Sequence, residues 1–385
     1  MTAMNRRVTH YLLLAAFLLG LPWVCAWLAG KPEILEGVKT FPPRTEDWGE
    51  LPGKLWNMRA PFSWPVFIAM VGGVLAVCFP FVRRLACPPA WTERASGTDR
   101  PGKFPWYGWL GAVALAASWI LAWNRFGWFG RGQRHTYVMI WFSFILLLNA
   151  LCEKRRGWSL MTRYPLPYAA SFPVSALFWW FFEYLNRFVW NWYYLGVQDM
   201  SAAEYTFFAT FSFSTVLPAV SAIAMLLKSF PAFSDNRFTR MAAFRLDRPM
   251  NLAAVFLAAC AGLTGIVFFP QYTFPLLWIS PLCLFVVAQA VLRERSVVAE
   301  RLAAGDWGLV VRFAAASLIC GFCWETWNWL SFAKWVYAVP YVHAFQIWEM
   351  PVAGFAGYLP FGVEIAVVLA WMHPGLVEEP AADAE

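Results

Sequence analysis

The sequence predicts an all-α integral membrane protein of about ten transmembrane helices. Three observations carry this. Of 385 residues, 60% are apolar and 14% are charged, against roughly 25% charged in a soluble domain. Apolar runs recur along the whole chain, and a run of about 18 residues is long enough to cross a hydrocarbon core of about 30 Å. The basic residues sit in short clusters between these runs, clearest in "EKRRGW" and "VLRERS", as topology signals do.

The spans read, in order, as 11–29, 65–82, 105–123, 136–152, 173–195, 206–228, 250–269, 273–292, 309–332 and 351–372. In the first, Arg6-Arg7 precede "YLLLAAFLLGLPWVCA". The apolar stretch continues through Trp27-Leu28-Ala29 without a small-residue cleavage site, so it reads as an uncleaved anchor. The loop from about 30 to 64 is too short to bury a core of its own and reads as a cap on the bundle. The third span opens on Trp106, Tyr107 and Trp109, residues suited to the headgroup level. The fourth ends at "EKRRGW". The fifth places Trp179-Trp180 mid-span, where an indole N–H needs a partner or a cavity. The sixth ends at Lys228. The seventh and eighth are poor in polar residues, and the eighth closes at "VLRERS". The ninth holds "CGFC", and the tenth follows "EMP".

With the N-terminus inside, the segments near 1–10, 83–104, 153–163, 228–249 and 293–308 carry 19 Lys and Arg, against 9 in the segments near 30–64, 124–135 and 333–350. The positive-inside rule then puts both termini in the cytoplasm, with the bacterial inner membrane as the expected location. The net charge of +7 fits contact with anionic headgroups and gives no reason to expect nucleic acid. The tail "VEEPAADAE" reads as disordered.

The chain carries an internal repeat. "FFEYLNRFVWNWYYLG" (181–196) can be laid on "CWETWNWLSFAKWVYAV" (323–339), with Glu183 on Glu325 and Asn186 on Asn328 at an offset of 142. One inserted residue brings Trp192 and Tyr194 onto Trp335 and Tyr337. "TVLP" (215–218) lies on "GYLP" (357–360), and Glu204 falls near Glu349. The expected organisation is two leading helices with their outer loop (1–104), a first four-helix repeat (105–249), a second (250–373), and the acidic tail (374–385). An even number of spans per unit makes the repeats parallel.

Glu183, Asn186 and Arg187 share one helical face at i, i+3 and i+4. Glu325 and Asn328 repeat the first pair without the cation, and Glu364 lies within the last span. An ionised carboxylate in lipid costs several kcal/mol, so such groups face a bundle interior or a cavity. A carboxylic acid held in an apolar pocket is a usable general acid. Glu325, Glu364 and Glu183 are therefore the candidate catalytic residues. Asn186, Asn328, Trp324, Trp335, Tyr337 and Tyr358 are the candidate substrate-binding residues. Glu183 with Arg187 can equally be a buried pair that staples helices. Glu349 before Met350-Pro351 reads as a helix cap, and Gly354, Gly357, Gly362 and Pro360 as close packing with a kink. Cys320 and Cys323 lie mid-span with no second Cys pair, and the four histidines are scattered. No metal or cofactor is expected, and no nucleotide loop, nucleophile elbow or zinc motif occurs.

The run "WETWNWLSFAKWVYAVP" with "EMPVAGFAGYLPFGVE" resembles a pattern in bacterial polytopic membrane proteins of uncharacterised role. More distantly it is similar to the duplicated domain of the small membrane lycopene cyclases, in an aromatic-acidic start, a W-x-(Y/F) step and a proline-plus-acid element. Glu325, Trp335, Glu349 and Pro351 are the positions that match. The resemblance implies acid–base chemistry on a polyene or other isoprenoid, with carboxylates protonating a double bond. Three functional readings stay open: a membrane-embedded acid–base enzyme on a lipid or isoprenoid, a non-catalytic scaffold or accessory subunit, and a proton-coupled transporter. The lipid or isoprenoid is the only partner the sequence names.

Overall fold

The computed structural model describes residues 3–30, 59–89, 101–233, 235–246 and 248–378. Most of the outer loop, residues 90–100 of the following basic segment, and tail residues 379–385 lie outside the described residues. Among the described residues, eight helical segments are long and apolar enough to cross a membrane, and the count reaches nine if one bent pair is a single span. Two short two-stranded sheets interrupt a mainly helical structure among the described residues.

The helices are α1 (Ala3–Leu28), α2 (Trp64–Ala86), α3 (Trp106–Trp123), α4 (Thr136–Arg156) and α5 (Pro165–Val189). They continue as α6 (Ala202–Phe213), α7 (Val216–Lys228), α8 (Pro249–Phe268), α9 (Ser280–Val291), α10 (Val297–Ala303), α11 (Gly308–Trp329) and α12 (Tyr358–Met372). Strands β1 (Trp192–Leu195) and β2 (Lys334–Tyr337) pair antiparallel, as do β3 (Gln346–Ile347) and β4 (Met350–Pro351).

Local chemistry explains the boundaries. Proline stands in the first turn of α2, α5 and α8, where its missing N–H costs nothing. Arg83 and Arg84 close α2, and Lys154, Arg155 and Arg156 close α4, complementing the partial negative charge of a helix C-terminus. Gly157, at φ 78°, ends α4 by turning the chain left-handed.

Four spans differ from expectation. The 173–195 span is cut at Val189, because Trp190 is left-handed (φ 52°) and residues 192–195 leave the helix to form β1. At 25 residues α5 is long enough to cross, but its Tyr, Trp, Asn, Glu and Arg make it less apolar than the eight. The 206–228 span breaks at Ser214-Thr215. Ser175 of α5 repairs the break, donating to Phe213 O (2.6 Å) and accepting from Leu217 N (3.0 Å), as buried backbone groups require. The 273–292 span bends by 48° between Pro270–Leu277 and α9. The 351–372 span opens in β4, passes through a 3₁₀ turn (Val352–Gly357) and is α-helical only from Tyr358. Pro360 therefore sits in the first turn of α12 and kinks nothing.

The interior is shared by α4, α5, α7, α11 and α12, while α2 has no buried residue. The basic segments meet at one end of the bundle. Arg84 reaches Arg237 O (3.0 Å), Arg155 donates to Ser229 Oγ (2.7 Å), and Trp307 N donates to Phe238 O (3.0 Å). The β1–β2 sheet lies at the other ends of α5 and α11.

Candidate functional site

Glu183 on α5 and Glu325 on α11 are 2% and 0% exposed, so each carboxylate needs partners from the protein. Both find them in the same way. Oε1 of Glu183 accepts from Tyr194 Oη (2.6 Å), Trp192 Nε1 (2.9 Å) and Trp179 Nε1 (3.1 Å). Oε1 of Glu325 accepts from Tyr337 Oη (2.6 Å), Tyr358 Oη (2.9 Å) and Trp335 Nε1 (3.3 Å). The Trp335 indole also donates to Tyr337 Oη (2.8 Å).

The asparagines one turn on make this possible. Asn328 donates to Trp335 O (2.7 Å) and accepts from Trp335 N (2.8 Å), so it pairs with β2 as a neighbouring strand would. Asn186 does the same for β1, donating to Trp192 O (2.7 Å) and accepting from Asn191 N (2.8 Å). Each Glu-x-x-Asn pair thus anchors the strand that follows it, and the strand delivers a Trp and a Tyr, two residues apart and on one face, back to the carboxylate. Arg59 steadies the same turn by donating to Val189 O (2.7 Å) and Trp190 O.

The two sets meet across the sheet. Trp192 stands opposite Tyr337, and Tyr194 opposite Trp335. Each indole that serves one carboxylate therefore faces the phenol that serves the other. Between the sets lies a cavity of about 150 Å³, walled among others by Tyr137, Trp179, Trp192, Tyr194, Trp278, Trp324, Trp335, Tyr337, Tyr358 and Phe361. A water needs only about 10–15 Å³, so this space is large for an ordinary packing defect. Phe182 and Trp192 both stack on Trp278, with centroids 4.9 and 5.7 Å away, and Tyr137 meets Trp335 edge-on at 5.4 Å. Arg134 and Lys334 are the basic residues on the lining, where Lys334 pairs with Glu349 and Arg134 with Asp199.

Of the sequence-derived residues, Trp324, Trp335, Tyr337 and Tyr358 line the cavity. Glu183 and Glu325 stand one side chain behind its wall, and Asn186 and Asn328 hold the strands. Glu364 is fully buried elsewhere on α12, off the lining, with neither oxygen hydrogen-bonded among the described residues. Glu349 is a partner of Lys334, not a helix cap, because it sits in the turn between β3 and β4. The mid-span indoles of Trp179 and Trp180 both find partners, Trp180 donating to Thr210 Oγ1 (3.0 Å). Sequence reasoning missed Tyr137, Trp278 and the two basic residues of the lining, which reach the cavity from elements far apart in the chain. Trp179 gave one signal, lying one helical turn before Glu183.

Compared with protein-family models, curated proteins and solved structures, the chain matches none. Its helices are compatible with a multi-pass membrane protein.

Proposed function

We propose that the protein is a multi-pass protein of the bacterial inner membrane that carries out acid–base chemistry on a lipid or isoprenoid in the aromatic cavity. The observation that carries this reading is the wall itself: phenols and indoles that line an apolar cavity hydrogen-bond at their other edge to buried carboxylates. Glu325 has the more reactive set. Its Oε2 is buried with no hydrogen-bond partner among the described residues, while Oε1 touches two phenols that line the cavity. A proton held in the Glu325–Tyr337–Tyr358 group is available to an alkene carbon in the cavity, and the resulting cation would lie against aromatic faces that stabilise it. Loss of a proton from a neighbouring carbon back to the group completes an isomerisation or ring closure without a co-reactant.

Two further supports bear on architecture. The likeness of the Glu183 and Glu325 sets, at offsets of 142 and 143, favours two leading helices followed by two parallel four-helix repeats, ten spans in all. The gathering of basic segments at one end favours a cytoplasmic location for that end and both termini. The resemblance of residues 323–364 to the small membrane lycopene cyclases directs the choice of substrates toward polyenes.

One observation favours the scaffold reading: neither carboxylate itself faces the cavity, so both sets can serve as structural anchors for β1 and β2. Incubation of the purified protein with lycopene and with extracted membrane isoprenoids, followed by product analysis, separates the two. Turnover by the wild type that Glu325→Gln abolishes supports the enzyme. Identical lipid profiles for both proteins sink it.

A further inference from the structure

The cavity lining is largely apolar, and its charged side chains sit at one edge, where Arg134 precedes α4 and Lys334 opens β2. These side chains are 24% and 26% exposed, so each charge sits between the aromatic interior and water. Their acidic neighbours hold them unequally: Glu349, paired with Lys334 at 2.5 Å, is only 23% exposed. Asp199, paired with Arg134, is 76% exposed, and an ion pair this open to water contributes little. Lys334 contacts Glu349 and Trp329 O (3.4 Å). Arg125 and Arg134 both approach the Phe332 ring at 5.7 Å, which brings a third cation beside the first. His135 faces the same edge against Glu204 at 3.9 Å. The rim thus holds three permanent cations, Arg125, Arg134 and Lys334, among three carboxylates, Asp199, Glu204 and Glu349, next to an opening into an aromatic interior.

We infer that the cavity takes an anionic amphiphile, with its phosphate or carboxylate head at Arg134 and Lys334 and its unsaturated tail among the aromatic rings. The inference rests on the reading of the cavity as a lipid or isoprenoid site and adds the chemistry of the head. An anion arriving at this edge exchanges a solvent-exposed partner of Arg134 for a less exposed one, and guanidinium binds phosphate through two parallel donors. The tail meanwhile leaves water for a largely apolar lining.

Farnesyl monophosphate, farnesol and inorganic phosphate, each titrated into the purified protein in detergent, provide the test. Quenching of intrinsic tryptophan fluorescence reads occupancy, since five tryptophans line the cavity. Hydrogen bonds to a charged group contribute about 1.5–3 kcal/mol, so farnesyl monophosphate is expected to bind about tenfold or more tighter than farnesol. In the double variant Arg134→Gln, Lys334→Gln this preference disappears while farnesol binds as before, which also reports an intact fold. Lys334→Arg keeps the preference. Equal affinity of farnesol and farnesyl monophosphate in the wild type overturns the head site and leaves the cavity reading standing. Inorganic phosphate binding as tightly as farnesyl monophosphate overturns the amphiphile in favour of a free phosphate site. No binding of any probe overturns the inference and the cavity reading together.

Discussion

Tyr358 occupies the space that a side chain at Gly321 would fill. A Cβ at Gly321 would lie 2.3 Å from Cε2 of Tyr358 and 2.6 Å from its Cζ. The missing side chain on α11 therefore lets a phenol from α12 reach Glu325 over the bare backbone. Gly321→Ala is expected to push the ring aside and break the 2.9 Å hydrogen bond from Tyr358 to Glu325. The loss should resemble that in Tyr358→Phe, about 1–3 kcal/mol for one hydrogen bond to a buried carboxyl group. Because both substitutions act on one contact, thermal unfolding of the double variant should show non-additivity. Simple addition of the two effects would show that Gly321 and Tyr358 are not coupled.

The asparagines carry the strands. Asn328→Ala leaves the backbone N–H and C=O of Trp335 without their partner, and Asn186→Ala does the same at Trp192. Each is expected to cost about 2–6 kcal/mol, since two buried backbone groups lose their bonds at roughly 1–3 kcal/mol apiece. Hydrogen exchange should rise first at residues 192–195 and 334–337, ahead of the helices. A variant whose strands remain protected would show that the ladder, not the asparagine, sets their position.

Gly196 joins the two strand exits. It is left-handed (φ +74°), and a Cβ there would lie 2.3 Å from Phe332 O. Gly196→Ala meets both the left-handed penalty of roughly 1–2 kcal/mol and a backbone clash that no rotamer relieves. We expect a lower melting temperature and weaker ligand-induced fluorescence quenching, because Ala333 and Lys334 of the lining follow Phe332 directly. An unchanged melting temperature would show that the two segments separate freely.

His343 lies outside the spans and hydrogen-bonds Gln346 at 2.7 Å. Burial pulls its imidazole below the usual range, against an opposing pull from Glu349. The folded state therefore holds this proton less readily than the unfolded chain, so the contribution to stability is complete above the ordinary value of about 6.5 and declines as pH falls through the lowered one. His343→Gln should flatten the fall in melting temperature between pH 7 and pH 5. An identical slope in wild type and variant would assign the dependence to other groups.

What the sequence made legible divides along a physical line. Glu183, Asn186, Glu325 and Asn328 stood out because polar groups inside apolar runs carry a desolvation cost that something must offset. Their i, i+3 spacing placed each pair on one helical face, and the 142-residue offset brought Trp335 and Tyr337 to attention. The strands were hidden, because "WYYL" is apolar enough to read as the end of a helix and "KWVY" reads as part of an outer turn until Asn186 and Asn328 are seen to bind their backbone. The break at Ser214 was hidden for a related reason: its freed backbone groups are satisfied from another element, by Ser175. Tyr137 with Trp335 is a contact between segments distant in the chain, and no local pattern announces it.

The third donor is where the two sets diverge, and it gives the most demanding test of the repeat. At an offset of 142, Trp179 corresponds to Gly321 and Tyr358 to Val216. One set thus takes its third hydrogen bond from an indole on its own helix, one turn before the glutamate. The other takes it from a phenol on the following helix, and each leaves small or apolar the position that the other fills. If the sets descend from one ancestral arrangement, the second can be converted to the first by exchange. Gly321→Trp alone should be severely destabilising, because its ring and that of Tyr358 compete for one volume, and overpacking costs about 1–3 kcal/mol or more. Tyr358→Val alone should leave a void of most of a ring and one fewer donor to Glu325. The double variant Gly321→Trp, Tyr358→Val should recover much of both losses, with a melting temperature above that of Gly321→Trp. Its indole at 321 would donate to Glu325 as Trp179 does to Glu183 at 3.1 Å. A double variant no more stable than the worse of the two singles would show that the sets agree only in their outlines.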